Sequence, residues 1–271
     1  MTRWARLDAE LVRRGLAGSR SQAAELVHAG RVRVDGRTAT KPATGVAPAM
    51  ALLVAATDAG PAYASRGGHK LAGALDLFGA AGLPVAGRRC LDAGASTGGF
   101  TDVLLRRGAR EVVAADVGYG QLAWALRTDP RVRILDRTNV RSLTPELTGG
   151  PVDLAVADLS FISLRTVLPA LVACLAAGGD LVPMVKPQFE VGRDSLGKGG
   201  VVRDAGLWAQ AAVGVAEAAA SHGLGVAGVA RSVLPGPAGN VEFFLWLRAG
   251  GPAVDPDMIE SAVRAEPEAT A

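Results

Sequence analysis

The spacing of hydrophobic residues in the first sixty residues differs from that in the rest of the chain. Residues 7–16 and 24–27 place leucine, valine and alanine at the three- and four-residue spacing of amphipathic helices. Val32 and Val34 then alternate with arginines before Asp35 and Gly36, which predicts a small β-hairpin. A further strand is expected over 52–54. The first part of the chain therefore predicts a small α+β fold.

From residue 65 onward, apolar strands alternate with helix-like segments. Strands are predicted to end at Asp92, Asp116, Asp158 and Lys186, each before a glycine turn or a helix. This pattern is typical of a parallel sheet with helices on both faces. The later segments that predict strands are 132–135, 224–234 and 241–247, and the last two form an antiparallel hairpin that closes the sheet.

The change of rhythm, together with a stretch rich in Ala, Gly and Pro up to residue 61, sets the expected domain boundaries. We expect an α+β domain over residues 1–60 and a linker over 61–64. Residues 65–254 should form an α/β domain of Rossmann-like architecture. Residues 255–271 are predicted to be a tail that begins with a short helix.

Charge is unevenly distributed between these parts. The chain carries 29 basic and 26 acidic residues, a net charge of +3. Residues 1–41 hold nine of the basic and four of the acidic residues, a net charge of +5, which leaves −2 for the rest. Residues 1–41, called here the head, are thus basic, whereas the rest of the chain is nearly neutral. This distribution favours binding to a nucleic acid. Trp4 is the only aromatic residue in the head, so contacts to phosphates are expected there rather than base stacking.

Composition argues against several other classes of protein. Cys90 and Cys174 are the only cysteines, too few for a disulfide framework and at no metal-ligand spacing, so we expect a cytoplasmic protein without a bound metal. The longest uncharged run, 42–57, contains two prolines and is shorter than the roughly 20 apolar residues of a membrane span. A hydrophobic content of 49% against 20% charged residues predicts a folded chain.

The segment DAGASTGGFT, residues 92–101, is the strongest local signal. It predicts a strand, a glycine turn and a helix, with backbone amides open to a ligand. The spacing differs from the GxGxxG of dinucleotide enzymes, and Asp92 would repel a pyrophosphate but attract a cation such as S-adenosylmethionine. Asp116 ends the next strand, where a carboxylate accepts hydrogen bonds from ribose hydroxyls. An ordinary strand-to-helix turn is the structural alternative.

Lysine is rare in this chain, because arginine supplies 25 of the 29 basic residues. A lysine, with an ordinary pKa of about 10.4, can act as a base where its surroundings lower that value, whereas an arginine cannot. Lys186 and Asp158 end strands and should face the ligand crevice. Lys70 precedes the first strand, and Glu242 is an acid in an apolar strand. Taken singly, each could be a solvated charge or a salt-bridge partner.

Taken together, Lys70, Asp158, Lys186 and Glu242 resemble the K-D-K-E tetrad of the FtsJ-type ribose 2′-O-methyltransferases. Four segments resemble the TlyA family, whose members were long called haemolysins. They are DAGASTGGFT, ADVGYGQL (115–122), ADLSFISL (157–164) and VKPQFEVG (185–192). Residues 6–36 resemble the S4 RNA-binding domain of ribosomal proteins and pseudouridine synthases. The resemblance covers nearly the whole chain, in order.

This resemblance implies 2′-O-methylation of cytidines in ribosomal RNA of both subunits. The implied cofactor is S-adenosylmethionine, and the implied partners are ribosomal RNA or ribosomal subunits. The residues expected to bind the cofactor, including Asp92 from the argument above, are Asp92, Gly94, Ser96, Thr97, Gly98, Phe100, Asp116, Val117, Thr138, Asn139 and Asp158.

The expected reaction needs a ribose hydroxyl to lose its proton while it attacks a methyl group bound to a sulfonium. Positioning and deprotonation are then the tasks of the protein. We expect Lys186 to act as general base, Asp158 to orient it and Glu242 to hold Lys70. An alternative role for Lys186 is to steer the hydroxyl.

RNA contacts are expected from Arg6, Arg20 and Lys41 in the head and from Arg66 and His69 at the junction. Two other classes of function stay open. A membrane-lytic protein would need an amphipathic or spanning segment, and the sequence shows neither. A non-catalytic RNA-binding or ribosome-assembly factor would keep the head but would have no use for the four charged residues of the tetrad. We expect a monomer that does not bind membranes.

Overall fold

The computed structural model describes residues 4–17, 20–55 and 63–265, and the chain divides into two compact units, Met1–Ala62 and Tyr63–Ala271. The expected linker, 61–64, is described only at its last two residues. Residues 266–271 of the expected tail lie outside the described residues.

The first unit packs two helices against short strands. Leu7 and Leu11 on the first helix and Val27 on the second are buried together, as the helical spacing predicts. The first helix is shorter than expected: it ends at Arg13, and Leu16 lies beyond it and is partly exposed. The elements are β1 (Ala5–Arg6), α1 (Leu7–Arg13), α2 (Arg20–His28), β2 (Val32–Val34), β3 (Arg37–Thr38), β4 (Gly45–Val46) and β5 (Leu52–Val54).

The predicted hairpin is confirmed. Val34 pairs with Arg37, and the two residues between them, Asp35 and Gly36, have φ angles of 47° and 81°. A two-residue turn of this kind needs left-handed backbone at both positions. Strand β2 lies between β3 and β5, and β1 pairs separately with β4.

The second unit is built on one seven-stranded sheet. Its helices are α3 (Gly67–Ala80), α4 (Gly99–Arg106), α5 (Trp124–Arg127), α6 (Pro145–Thr148), α7 (Leu164–Ala173), α8 (Pro187–Glu190), α9 (Ala205–Ala220) and α10 (Pro256–Arg264), with 3-10 turns at Val140–Ser142 and Arg193–Ser195. Its strands are β6 (Arg89–Ala93), β7 (Glu111–Ala115), β8 (Val132–Leu135), β9 (Val152–Ala157), β10 (Leu175–Val185), β11 (Leu224–Arg231) and β12 (Phe243–Ala249).

The order of strands in the sheet is β11-β12-β10-β9-β6-β7-β8. The five strands from β10 to β8 are parallel, and β12 runs antiparallel to both β10 and β11. The predicted mostly parallel sheet with a closing antiparallel hairpin is therefore confirmed. The last strand in sequence, β12, lies inside the sheet, and β11 forms the edge.

Apolar side chains cover both faces of this sheet, as the alternation of strands and helices predicts. On one face, Leu168 of α7 and Val215 of α9 are buried with Leu91 of β6. On the other, Leu75 of α3 and Leu104 of α4 are buried in a second cluster. The helix α10 packs on α9 and β11, and Asp255 caps it by accepting hydrogen bonds from the amides of residues 257 and 258.

A buried carboxylate ties the antiparallel strand to the parallel part of the sheet. Asp180 of β10 is fully buried and accepts a hydrogen bond of 2.7 Å from the indole Nε1 of Trp246 on β12. Arg88, just before β6, donates to the other carboxylate oxygen. A buried carboxylate is tolerated only when it is paired in this way, because an unpaired charge loses its hydration without compensation.

We predict that Asp180→Ala lowers the free energy of unfolding by about 3 kcal/mol, because it leaves the Arg88 cation and the Trp246 donor without their buried acceptor. Urea unfolding followed by tryptophan fluorescence and circular dichroism measures this. The control is Arg264→Ala, which breaks an exposed ion pair with Glu260 on α10 and should cost at most about 1 kcal/mol. Equal losses in the two variants would contradict a structural role for Asp180.

Candidate active site

The parallel strands bring the predicted acidic residues to one edge of the sheet. Ala93, Ala115 and Ala157 are neighbours in the ladders of β6, β7 and β9, at the carboxyl end of each strand. The amide of Asp158 donates a hydrogen bond of 3.0 Å to the carbonyl of Ala93, which continues the ladder by one residue. The side chains that follow these strands therefore share the crevice at the carboxyl edge.

The turn after β6 requires glycine at two positions. Gly94 and Gly98 have φ angles of 88° and 97°, and a Cβ atom at Gly94 would lie 2.4 Å from the carbonyl oxygen of Asp158. A Cβ at Gly98 would lie 2.3 Å from the side chain of Leu126. Ser96 between them also has a positive φ, 48°. The predicted strand, turn and helix are confirmed, and α4 begins at Gly99, one residue before Phe100.

Asp116 is held rigidly at the end of β7. One of its carboxylate oxygens accepts a hydrogen bond of 2.8 Å from the amide of Ser96, and the other accepts one of 2.7 Å from the amide of Gly118. The amide of Thr138 donates to the backbone oxygen of Asp116 at 2.8 Å, so the loops after β7 and β8 lie side by side. Val117 is exposed next to them.

Two predicted cofactor residues have local structural roles as well. The side chain of Asn139 accepts a hydrogen bond of 3.0 Å from the amide of Arg141 and so caps the 3-10 turn that follows. The hydroxyl of Thr138 donates to the backbone oxygen of Asp136 at 3.2 Å. These bonds fix the shape of the loop after β8 beside Asp116.

Asp92 is the most deeply buried carboxyl group at this edge. Its side chain is fully buried; Oδ2 accepts a hydrogen bond of 2.7 Å from the hydroxyl of Thr101, and Oδ1 has no hydrogen-bond partner among the described residues. Burial raises the pKa of Asp92 to about 7, and the nearby carboxylates of Asp158 and Asp116 add to the rise against the opposing effect of Thr101. The site thus contains a carboxyl group that a cation would stabilise in its charged form.

Lys186 lies at the end of β10 and is held by two oxygen atoms. Its Nζ lies 2.6 Å from Oδ1 of Asp158 and donates a hydrogen bond of 3.1 Å to the hydroxyl of Ser160. The lysine side chain is mostly buried, whereas Asp158 is about one-quarter exposed. An ammonium group has three N–H donors, so Lys186 can donate to a further partner besides Ser160.

Lys70 and Glu242 form a second, more deeply buried ion pair, with side chains 8% and 1% exposed. Lys70 lies on α3, a helix that the sequence pattern does not predict. Phe243 pairs with Val185, so Glu242 and Lys186 come next to each other at the end of the antiparallel ladder. A Cβ at Gly67, in the first turn of α3, would lie 3.9 Å from Oδ2 of Asp158. The four residues of the predicted tetrad are therefore brought to the same end of the sheet.

Three features of the site were not predicted. Ser160 accepts a hydrogen bond from Lys186, and no charge or spacing in the sequence distinguishes this serine from others. Phe161 is 92% exposed with a φ of 64°, and its ring lies 5.3 Å from that of Phe189. A bulky residue in left-handed backbone is strained and marks a constrained position. The third feature is the loop 235–240, in which a Cβ at Gly236 would lie 2.6 Å from Oε1 of Glu242.

In the first unit, two of the expected RNA-binding arginines share one buried carboxylate. Arg6 and Arg20 both contact Asp8, at 2.9 Å and 3.0 Å, and both keep more than half of their side-chain surface exposed. The hydrogen bond from Arg6 is the main cause that lowers the pKa of Asp8 to about 2, and Arg20 adds to it. Lys41 is exposed. These cations are oriented by Asp8 but remain accessible.

In the second unit, the expected RNA-binding residues near the start of α3 also have partners. The guanidinium of Arg66 is exposed and donates a hydrogen bond of 3.1 Å to the backbone oxygen of Pro235. The ring of His69 packs edge-on against Tyr63 at 5.0 Å. Tyr63 also lies under the guanidinium of Arg106 at 5.0 Å. Tyr63, at the end of the expected linker, is thus a packed residue.

Comparison with known proteins gives a family for each unit. The model for FtsJ-like methyltransferases matches residues 63–249, and the model for the S4 domain matches residues 5–51. The 16S/23S rRNA (cytidine-2′-O)-methyltransferase TlyA of Mycobacterium tuberculosis is 65% identical over 248 residues, which are 92% of this chain and 91% of the relative. The 23S rRNA (cytidine-2′-O)-methyltransferase TlyA of Campylobacter jejuni is 34% identical over 185 residues, 68% of this chain and 70% of that protein.

A solved structure of a candidate hemolysin from Streptococcus thermophilus matches with a TM-score of 0.76 and 39% identity over 97% of this chain and 95% of that one. Within the described part of the chain, none of the helices is long and apolar enough to cross a membrane.

Because Asp92 is buried, the free energy of unfolding should depend on pH. Its pKa is about 7 in the folded protein and about 3.8 in the unfolded chain, so between these values the folded state holds a proton that the unfolded state has released. The free energy of unfolding therefore falls as the pH rises. Asp92→Asn removes this effect, and its stability relative to the original protein should increase by up to about 1.4 kcal/mol per pH unit from about pH 4.5 to 7.

Urea unfolding without cofactor at several pH values measures the difference. The control is Asp129→Asn, because the hydrogen bond from Arg131 lowers the pKa of Asp129 and its contribution should be constant over this window. A constant difference for Asp92→Asn as well would contradict the buried, protonated carboxyl.

Proposed function

Because the chain belongs to the FtsJ-like methyltransferase family and carries an S4 domain, we propose that it transfers the methyl group of S-adenosylmethionine to ribose 2′-hydroxyls of cytidines in 16S and 23S ribosomal RNA. The name of the Mycobacterium tuberculosis relative, at 65% identity, supports this substrate. The observation that carries the chemistry is the pair of buried lysine–carboxylate ion pairs at the carboxyl edge of the sheet. Such a substrate implies action in the cytoplasm.

The crevice suits a cationic cofactor. When bound, S-adenosylmethionine supplies a methyl group made electrophilic by its sulfonium. The buried Oδ1 of Asp92 has no partner among the described residues, and the turn at Gly94 and Gly98 leaves no room for side chains. Asp116 is fixed by two backbone amides with lone pairs left for hydroxyl groups. The residues that would hold the cofactor are those predicted, Asp92, Gly94, Ser96, Thr97, Gly98, Phe100, Asp116, Val117, Thr138, Asn139 and Asp158.

Lys186 is the proposed general base. As the neutral amine, its Nζ takes the proton of the 2′-hydroxyl while the ribose oxygen forms a bond to the methyl carbon and the carbon–sulfur bond breaks. Asp158, at 2.6 Å, then stabilises the ammonium, and Ser160 fixes its direction. The ion pair with Asp158 and the hydrogen bond to Ser160 together orient the side chain, and an in-line transfer needs such orientation.

Lys70 and Glu242 neutralise each other, and Glu242 comes next to Lys186 at the end of the antiparallel ladder. Glu242 is buried and would be costly as a lone charge, so its ion pair with Lys70 compensates the loss of hydration of both side chains. Phe161 gives the same edge an exposed aromatic face, which suits stacking of an unpaired base of the substrate RNA.

We predict that Lys186→Ala lowers the rate of methyl transfer by a factor of at least about 100, the usual contribution of a general base, while cofactor affinity changes less than about threefold. Single-turnover transfer of radiolabel from S-adenosylmethionine to unmodified ribosomal subunits measures the first quantity, and calorimetric titration the second. Lys186→Arg should be equally inactive, because it keeps the charge but cannot accept the proton.

Substantial turnover by either Lys186 variant would exclude the general-base role. If the unaltered protein binds the subunits but transfers no label, it is a non-catalytic RNA-binding factor and the proposed function is wrong.

The first unit is proposed to bind the phosphate backbone. We predict that Arg20→Gln combined with Lys41→Gln reduces the slope of log affinity against log salt by up to about two, because each lost phosphate contact releases about one counterion fewer. Filter binding of ribosomal RNA between low and physiological salt measures the slope. Arg37→Gln, on the exposed strand β3 of the same unit, is the control, and an equal loss of slope per charge there would show that only net charge matters.

A further inference from the structure

The fourth lysine of the chain, Lys198, has no role in the proposed chemistry. It lies between α8 and α9 in the segment Gly197–Val202, called here the lysine loop, and its side chain is exposed. Among the described residues, no carboxylate lies within ion-pair distance of it. In a chain that uses arginine for nearly all its positive charge, this lysine lies on the loop that follows α8 and the 3-10 turn Arg193–Ser195, and α8 begins directly after Lys186.

The lysine loop has a defined backbone. Gly199 and Gly200 have consecutive positive φ angles of 78° and 73°, and hydrogen bonds join Gly200 to Gly197 at 3.0 Å and Gly197 to Val201 at 3.2 Å. The indole Nε1 of Trp208, on α9, donates to the backbone oxygen of Val202 at 2.9 Å. The tip is therefore turned outward while the end of the loop is anchored.

Asn240 fastens the other side of this loop. Its side chain is 3% exposed, accepts a hydrogen bond of 2.9 Å from the amide of Val202 and donates one of 3.2 Å to the carbonyl of Gly200. Both polar ends of the amide are thus used by one segment nearly 40 residues earlier in the sequence. A buried amide with both ends satisfied holds its partners in one arrangement, because any other leaves a polar group without a partner.

The same asparagine belongs to the loop that packs against Glu242. The backbone oxygen of Asn240 accepts a hydrogen bond of 2.8 Å from the amide of Gly236, and Gly236 lies against the Glu242 carboxylate. Arg66, on the other side, donates to Pro235. The loop 235–240 therefore connects the catalytic carboxylate, the start of α3 and the lysine loop.

We propose that Asn240 is a positioning residue that holds the lysine loop beside the catalytic strand, so that Lys198 binds a phosphate of the substrate RNA next to the ribose that is methylated. The charge of the exposed ammonium fits this partner, and the loop needs no ordering on binding because Asn240 and Trp208 already hold it. The inference rests on the proposed function in that the bound RNA is its substrate.

A double-mutant cycle on RNA affinity tests this coupling. Lys198→Gln should weaken binding of ribosomal RNA about fivefold and lower the salt slope by about one. Asn240→Ala should weaken it by a similar factor, and the double variant should be no weaker than the weaker single variant, since Lys198 no longer contributes once its loop is released. Affinity for S-adenosylhomocysteine should stay within about twofold throughout.

The control is Arg264→Gln on α10, which removes an exposed charge without touching either loop and should leave RNA affinity unchanged. If Asn240→Ala does not unfold cooperatively, Gly200→Ala replaces it, because a side chain at a φ of 73° strains the lysine loop directly while meeting no atom within 4 Å.

Losses that multiply in the double variant, about 25-fold, would overturn the proposal, because Asn240 would then act independently of Lys198. No effect of Lys198→Gln would overturn it as well. Since the cycle measures binding alone, it is separate from the methyl-transfer assay. An additive cycle with an active enzyme defeats this inference only, whereas RNA binding without methyl transfer defeats the proposed function only.

Discussion

Burial of charge at the open end of a parallel sheet is the constraint on which the site depends. The topology places Asp92, Asp116 and Asp158 at the ends of adjacent strands, where the other two carboxylates add to the rise in the pKa of Asp92 that burial causes. The structure answers with a different partner for each: a hydroxyl for Asp92, backbone amides for Asp116, and Lys186 for Asp158. Asp92, with one hydroxyl donor, has a pKa raised to about 7, whereas Asp116 accepts two amide hydrogen bonds and Asp158 is paired with a lysine.

The need to pair buried charge also explains why residue 186 is a lysine rather than an arginine. A compact ammonium contacts Asp158 and donates a hydrogen bond to Ser160, whereas a guanidinium is a larger planar group that stays charged. Glu242 provides the matching charge for Lys70, so the interior stays electrically balanced before any ligand binds. In the first unit only the carboxylate is buried, since Asp8 is the buried member and its arginines stay exposed.

The sequence predicted the sheet and the glycine turn, and it singled out the four charged residues of the tetrad as candidates for the site. Each of these leaves a local pattern: apolar runs, paired glycines, and rare lysines at strand ends. It did not predict α3, whose glycine-rich start reads as a loop, nor the position of β12 inside the sheet, which depends on contacts far apart in sequence. Ser160 and Asn240 were missed because a polar residue in a loop acquires its role from the partners that folding brings to it.

The position of β12 also bears on how the protein is made. Among the described strands, β11 pairs with β12 alone, and β12 begins directly after Glu242. During synthesis β11 therefore emerges with no strand to join until the residues after 242 have followed it. The sheet closes, and Lys70 meets its partner Glu242, only after residues 242–249 have been made. A chain that stops before residue 242 would expose an unpaired strand edge and would leave Lys70 without its carboxylate. Such truncated products should be prone to aggregation rather than partly active.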